Sequence, residues 1–195
     1  MRGAVRSAGV RVAWVRLAVV CVLAVALSAF GFSAFGCRGS SSGEAAAGAG
    51  AEGGRVGSKV ADFQLTSLDG QTLTPASLKG KVVIVDFWDT WCGPCLRALP
   101  HLKELSLNHP SDVVVVAIAL GQEGEGKVRE VVARQGLPFP IVLFEAQGDL
   151  TPAFGVVDQL PTTFLLGPDG VIRHRWVGSQ SLSTYENAAK ALLPM

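Results

Sequence analysis

The chain has 195 residues, of which 49% are hydrophobic, and its 17 lysines and arginines nearly balance its 16 aspartates and glutamates. That length holds one ordinary domain with appendages, and a net charge of +1 gives no sign of the strongly basic surface that nucleic-acid binding requires. The mean hydropathy of +0.37 is high for a water-soluble domain, and its source is local.

Residues 1–16 carry Arg2, Arg6, Arg11 and Arg16 and no acid, and the next charge is Arg38, so Leu17 to Gly36 is an uncharged, mostly apolar run. A basic stretch ahead of such a run is the pattern of an export segment, with the arginines holding the N-terminus in the cytoplasm. About 20 apolar residues also suffice to span a bilayer if they are not cleaved. "SAFGC", Ser33 to Cys37, resembles a bacterial lipobox, with Gly36 ahead of a Cys37 that would take the lipid, although Ala34 and Phe35 depart from the usual residues. Three fates follow: lipidation at Cys37, an uncleaved membrane anchor, or a cleaved soluble form. All three are extracytoplasmic. Cys21, inside the run, reads as a small hydrophobe. Removing residues 1–37 takes away four arginines and no acid, which turns the net charge of +1 into −3.

Residues 38–57, "RGSSSGEAAAGAGAEGGRVG", have almost no large apolar side chains to bury and read as a flexible tether. Twenty such residues have a root-mean-square reach of roughly 25 Å. The domain is expected over residues 58–195. "ADFQLTSLDGQTLTP" alternates apolar and polar residues around Asp69-Gly70 and predicts a β-hairpin. "KVVIVDFW" (81–88) and "VVVVAIAL" (113–120) are continuous apolar runs, the pattern of strands covered on both faces. Between them, Leu96, Leu99, Leu102 and Leu105 have helical spacing, with Pro100 expected to kink the helix and Asn108-His109-Pro110 to close it. A second helix is expected over about 127–134, a third strand over 139–146 and a short helix near 149–154. "LPTTFLLGPDGVIRHRWVG" then predicts two strands joined at Pro168-Asp169-Gly170, with a last helix over about 181–193. Parallel βαβ units followed by an antiparallel hairpin and a helix give an α/β fold, a mixed central sheet covered by helices on both faces.

"DFWDTWCGPC" (86–95) places Cys92 and Cys95 two residues apart at the end of the first long strand. A structural zinc site needs four ligands. The other two cysteines are Cys21 and Cys37, and His101, His109 and His174 show no paired ligand spacing. A purely structural disulfide across two residues would stabilise little, because it closes so short a loop. Redox chemistry fits the position. At a helix start, free N–H groups and the macrodipole favour a thiolate on Cys92, while Cys95, one turn in, is placed as the resolving thiol. Pro94 suits the first turn, where its missing N–H has no partner to lose.

"WCGPC" resembles the thioredoxin active site. The frame from about Gly57 to Met195 resembles the membrane-linked thiol-disulfide oxidoreductases of the TlpA/ResA type: "ADFQLTSLDGQTLTPASLKGK", "VVIVDFW", Pro100, the inserted βα segment through 113–146, and "LPTTFLLGPDG" all match. The resemblance implies a thioredoxin fold with an N-terminal β-hairpin and a central βα insertion. It implies a cis Pro161 facing the dithiol, with Leu160 offering backbone hydrogen bonds to a substrate strand, and a substrate surface completed by Trp91, Gly93 and Pro94. It implies no cofactor beyond the redox-active Cys92–Cys95 pair, protein thiols or disulfides as substrates, and a membrane electron donor of the DsbD/CcdA type. Cytochrome c maturation is a frequent task of this family. The chain departs from the ResA pattern at Ala98, where a glutamate is common, and instead carries Asp86 six residues before Cys92, the place of thioredoxin's buried aspartate. Asp86 is therefore expected to be the general base for Cys95. Asp89 stands where small residues are usual and is expected to be exposed at the strand's end, opposing the Cys92 thiolate.

Other signals weaken on inspection. "GQEGEGK" (121–127) fits a P-loop spacing, but Val128 replaces the magnesium-binding hydroxyl, and Glu123 and Glu125 would repel phosphate. A peroxidase site would want a proline upstream of its cysteine, and 86–90 contains none. Arg173, His174 and Arg175 read as the solvated part of an edge hairpin. One alternative of a different class uses the same pair: a periplasmic metallochaperone holding copper(I) through Cys92 and Cys95. Against it, Met1 and Met195 are the only methionines.

Overall fold

The computed structural model describes residues 53–193. The export segment, Cys21, the lipobox with Cys37 and most of the tether lie outside the described residues. Seven strands and four α-helices alternate through residues 65–190.

The centre is β3 (Val82–Trp88), every residue of which is buried. β3 pairs in parallel with β4 (Val113–Ala119) and antiparallel with β6 (Thr162–Leu166), within a sheet of order β5-β4-β3-β6-β7. Helix α1 (Gly93–Asn108) makes the crossover from β3 to β4 and buries Leu99, Leu102 and Leu105. It runs on through Pro100, whose side chain is exposed, and ends at a His109 cap followed by Pro110. Side chains alternate across a strand, and the two faces of β3 enter two different cores. Val82, Ile84 and Trp88 pack with α1, with Val128 and Val131 of α2 (Glu125–Gln135) and with Tyr185 and Ala189 of α4 (Leu182–Lys190). Val83, Val85 and Phe87 pack on the other face with the N-terminal segment and with α3 (Thr151–Phe154). Helices therefore cover both faces of a mixed sheet.

The second core is aromatic. Phe154 lies 5.5 Å from Phe63, 5.5 Å from Phe87 and 5.4 Å from Phe164, between ring centroids. The expected hairpin is present but short: β1 (Leu65–Thr66) pairs with β2 (Thr72–Leu73), and Leu68 N–H reaches the Ile141 carbonyl of β5 at 2.7 Å. Bonding into the fold begins ahead of residue 58, since Gly54 N–H donates to the Ala153 carbonyl at 3.1 Å and Gly57 N–H to that of Ile172 at 2.8 Å. Gly54 has φ +76°, and a Cβ there would lie 2.0 Å from the Phe154 carbonyl oxygen, so no larger residue fits this approach.

The third long strand is a correction. β5 is only Ile141–Leu143, and Phe144–Ala146 form a 3-10 turn. β4 offers β5 partners only from Ala117 to Ala119, and Pro140 before it has no N–H to give a ladder. The last hairpin matches expectation: β7 (Ile172–Val177) is an edge strand, and Arg173, His174 and Arg175 are exposed on it. α4 starts from a Ser181 cap, whose hydroxyl accepts from Thr184 N–H at 3.2 Å.

Phe154 is fully buried at the meeting point of three rings, so Phe154→Ala is expected to lower the unfolding free energy by about 3–5 kcal/mol, read from the denaturant midpoint at unchanged slope.

Candidate active site

β3 delivers the chain to the site. It ends at Trp88, then Asp89, Thr90 and Trp91 turn the backbone, and Cys92 is the N-cap of α1. Cys92 and Cys95 are joined as a disulfide with Cα atoms 5.2 Å apart. The Cys92 sulfur accepts from Cys95 N–H at 3.2 Å, Pro94 occupies the first turn, and no acidic residue lies in that turn. This is the helix-start environment that favours a thiolate on the first sulfur. Cys92 is 4% exposed and Cys95 fully buried, while Trp91 beside them is 55% exposed. Gly93 and Pro94 are also exposed, so the motif presents an open rim around a shielded sulfur. Ala98 is fully buried.

Leu160-Pro161 is a cis peptide bond. β6 runs antiparallel to β3 with Thr162 opposite Phe87, which sets Leu160 and Pro161 at the end of the sheet where β3 enters the motif. The turn is tied by Thr162 Oγ1 to the Gln159 carbonyl at 2.7 Å and by Gly178 N–H to the Pro161 carbonyl at 2.8 Å.

Asp86 is fully buried on β3, between Ala117 of β4 and Thr163 of β6. Strand alternation puts it on the face of Ile84 and Trp88, the face that packs with Cys92, Cys95, Leu99 and Tyr185. Thr163 Oγ1 donates to Asp86 Oδ1 at 2.6 Å, and the same hydroxyl lies 3.3 Å from the Tyr185 hydroxyl. Asp86 Oδ2 and the nearby Trp88 Nε1 have no hydrogen-bond partner. Burial pushes the Asp86 carboxyl up from 3.8 to about 7, and the Thr163 hydrogen bond offsets only part of this. Burial, and then the charge of Asp86, pushes the Tyr185 phenol up to about 12. Thr163 and Tyr185 escaped the sequence reading. Thr163 could have been suspected as a polar residue in a covered strand, but only the β3–β6 register sets it opposite Asp86.

Asp89 is a correction. It is fully buried rather than exposed, because N–H groups converge on its carboxylate. Thr90 N–H donates to Oδ1 at 2.7 Å, and Trp91 Nε1 and Gln122 N–H donate to Oδ2 at 3.0 and 3.2 Å. Three N–H bonds satisfy a carboxylate that burial would otherwise make costly. Among the described residues no group of three histidine, cysteine, aspartate or glutamate side chains is placed to hold a metal ion.

The Redoxin family model matches residues 55–192. The chain belongs to the Redoxin family. It is 31% identical over 140 residues to thiol-disulfide oxidoreductase ResA of Bacillus thuringiensis strain Al Hakam, covering 72% of this chain and 80% of the relative. Among solved structures, a thiol:disulfide interchange protein of the thioredoxin family from Chlorobium tepidum TLS superposes with a TM-score of 0.61 at 27% identity, covering 72% of this chain and 99% of that one. The pneumococcal exposed lipoprotein thioredoxin of Streptococcus pneumoniae strain TIGR4 gives a TM-score of 0.59 at 26% identity, covering 68% and 100%. The protein is thus a thiol-disulfide oxidoreductase of the TlpA/ResA type with a thioredoxin-like fold.

The buried Asp86 has a consequence for stability. Between pH 4 and 7 the folded chain keeps a proton that the unfolded chain has released, so stability is full below about pH 4 and falls as pH rises through about 7. At about 1.4 kcal/mol per tenfold difference in ionisation, the loss is on the order of 4 kcal/mol. Asp86→Asn is expected to abolish this fall and to melt above the wild type at pH 8, measured as Tm against pH.

Proposed function

We infer that the protein reduces protein disulfides outside the cytoplasm, with Cys92 as nucleophile, Cys95 as resolving thiol and Asp86 as the base for Cys95. The observation that carries this is the wholly buried Asp86 on the cysteine face of β3, with one carboxyl oxygen unpartnered and an ionisation near neutrality. Cys92 thiolate attacks a substrate disulfide, forming one mixed disulfide and releasing one substrate thiolate. Cys95 then gives its proton to Asp86 and attacks the Cys92 sulfur, which releases the second substrate thiolate and leaves the Cys92–Cys95 disulfide. Trp91, Gly93, Pro94, Leu160 and Pro161 form the surface on which the substrate strand lies, Leu160 through backbone hydrogen bonds.

Two features support the reducing direction. Gly93-Pro94 is the thioredoxin-type dipeptide. Ionised Asp86, on the cysteine face of β3, works against the thiolate that the helix start favours, and a less stabilised reduced form makes a stronger reductant. A membrane donor of the DsbD/CcdA type then returns two electrons to the pair. Apocytochrome c sites, Cys-x-x-Cys-His, are the substrates we place first within this class. The basic and apolar start of the sequence, the lipobox-like "SAFGC" and the similarity to an exposed lipoprotein thioredoxin support export with lipidation at Cys37. The part of residues 38–57 ahead of Gly53 then serves as the tether, because Gly53 to Gly57 are already packed and bonded to the domain, and no cofactor beyond the dithiol is required.

Cys92→Ser is expected to abolish insulin reduction, while Cys95→Ser still attacks and accumulates as a mixed disulfide. Equal trapping by both variants would overturn the assignment. The reduction potential is expected near the value of about −270 mV typical of thioredoxin rather than about −120 mV. A reduced protein that binds copper(I) tightly and leaves insulin intact would favour the metallochaperone instead.

Wild-type turnover is expected to rise as pH passes through about 7, because only ionised Asp86 accepts the proton. Asp86→Asn is expected to slow turnover roughly 10- to 100-fold and to flatten that rise; an unaltered pH profile would remove Asp86 from the mechanism.

A further inference from the structure

The loop that mimics a P-loop, Gly121 to Lys127, is left without a task by the redox chemistry, and Asp89 is buried without touching a sulfur in any hydrogen bond the structure contains. The two meet. Asp89 Oδ2 accepts from both Trp91 Nε1, at 3.0 Å, and the backbone N–H of Gln122, at 3.2 Å. Thr90 Oγ1 donates to Glu123 of the same loop. The loop turns tightly at that point: Gly124 N–H donates to the Gly121 carbonyl at 2.8 Å, and Gly121 has φ +77°. The N–H of Trp91, a side chain 55% exposed at the rim of the disulfide, is therefore anchored to a fully buried carboxylate that also holds a second loop.

We propose that Asp89 is a positioning residue that holds the indole of Trp91 against the 121–125 loop, so that one wall of the substrate surface beside Cys92 is preformed. This rests on the reading of Trp91 as part of that surface. A large, exposed indole left untethered samples several rotamers, and a substrate protein that docks on it has to freeze them, which weakens binding without altering the sulfur chemistry. A carboxylate suits the task better than an amide. Every group hydrogen-bonded to it donates, three N–H groups and the Thr90 hydroxyl, and an amide in either orientation would turn its own NH2 toward at least one of the N–H donors. The inserted βα segment thereby acquires a role in the site, since its first loop supplies the second half of the clamp.

The test is a double-mutant cycle in the full chain, held in mild detergent, with insulin as the protein disulfide. Asp89→Ala is expected to raise KM for insulin at least fivefold. Trp91→Phe, which keeps a ring but loses the N–H, is expected to raise KM comparably. In the Trp91→Phe background the further effect of Asp89→Ala is expected to fall below twofold. Any influence of the Asp89 charge on Cys92 persists in both backgrounds, so equal effects in the two would overturn the proposal, as would an unchanged KM in either single variant. If Asp89→Ala does not fold, Asp89→Asn takes its place in the same two backgrounds and is expected to raise KM in the wild type but less than twofold beside Trp91→Phe; equal effects in the two would overturn the proposal. In protein labelled with 5-fluorotryptophan, the Trp91 fluorine resonance is expected to move and broaden in Asp89→Ala; an unmoved signal would sink the tether. A wild type that leaves insulin intact would defeat the functional reading, while the fluorine signal would still decide the clamp independently.

Discussion

Strand β3 has strands on both sides and a core on both faces, and all seven of its residues are buried. Few positions in the sheet are held more firmly, and the chemistry hangs from its C-terminal end. Asp86 and Trp88 project from it toward α1, Asp89 follows it directly, and three residues later Cys92 caps the helix that carries Cys95. A strand that cannot shift register, because a one-residue slip would exchange its two faces, fixes where the N-terminus of α1 points. It also fixes that Asp86 lies on the cysteine side rather than among the phenylalanines.

That arrangement carries a standing cost. The side that holds Asp86, Thr163 and Tyr185 is otherwise apolar, and both Asp86 Oδ2 and Trp88 Nε1 lack partners there. Unsatisfied buried polar groups of this kind cluster where chemistry is done. An aliphatic residue at position 86 would pack at least as well, but it could not exchange a proton near neutral pH. The opposite face has no such conflict and is packed with four phenylalanine rings, so the stabilising core and the reactive one are separated by the sheet itself.

Asp89 shows how a carboxylate can be buried at much lower cost. It sits where the strand ends and backbone N–H groups lose their ladder partners, so Thr90 and Gln122 can turn theirs toward it. Asp86, inside the ladder, finds only the Thr163 hydroxyl. Asp86 therefore carries a raised ionisation from desolvation, and although both carboxyls are fully buried, Asp89 is met by three N–H donors where Asp86 is met by one hydroxyl.

Much of this was legible in the sequence alone. Continuous apolar runs marked β3 and β4, leucines at helical spacing marked α1, and the position of "WCGPC" between them specified which cysteine caps the helix, because those signals are local. Asp86 stood out as a lone acid in a covered strand. The extent of β5 was not legible, since Phe144 extends an apolar run in sequence but meets no strand in space. Thr163 and Tyr185 were not legible either, because Thr163 meets Asp86 through sheet register across 77 residues of chain and Tyr185 meets Thr163 through helix packing across another 22. Asp89 was misread for the same reason. The sequence determined that an acid stands beside the dithiol, whereas its burial was decided by Gln122, 33 residues away, whose N–H arrives only when β4 has paired with β3 and turned back over its end. Local pattern sets which atoms are present, and only the folded chain sets which donors surround them.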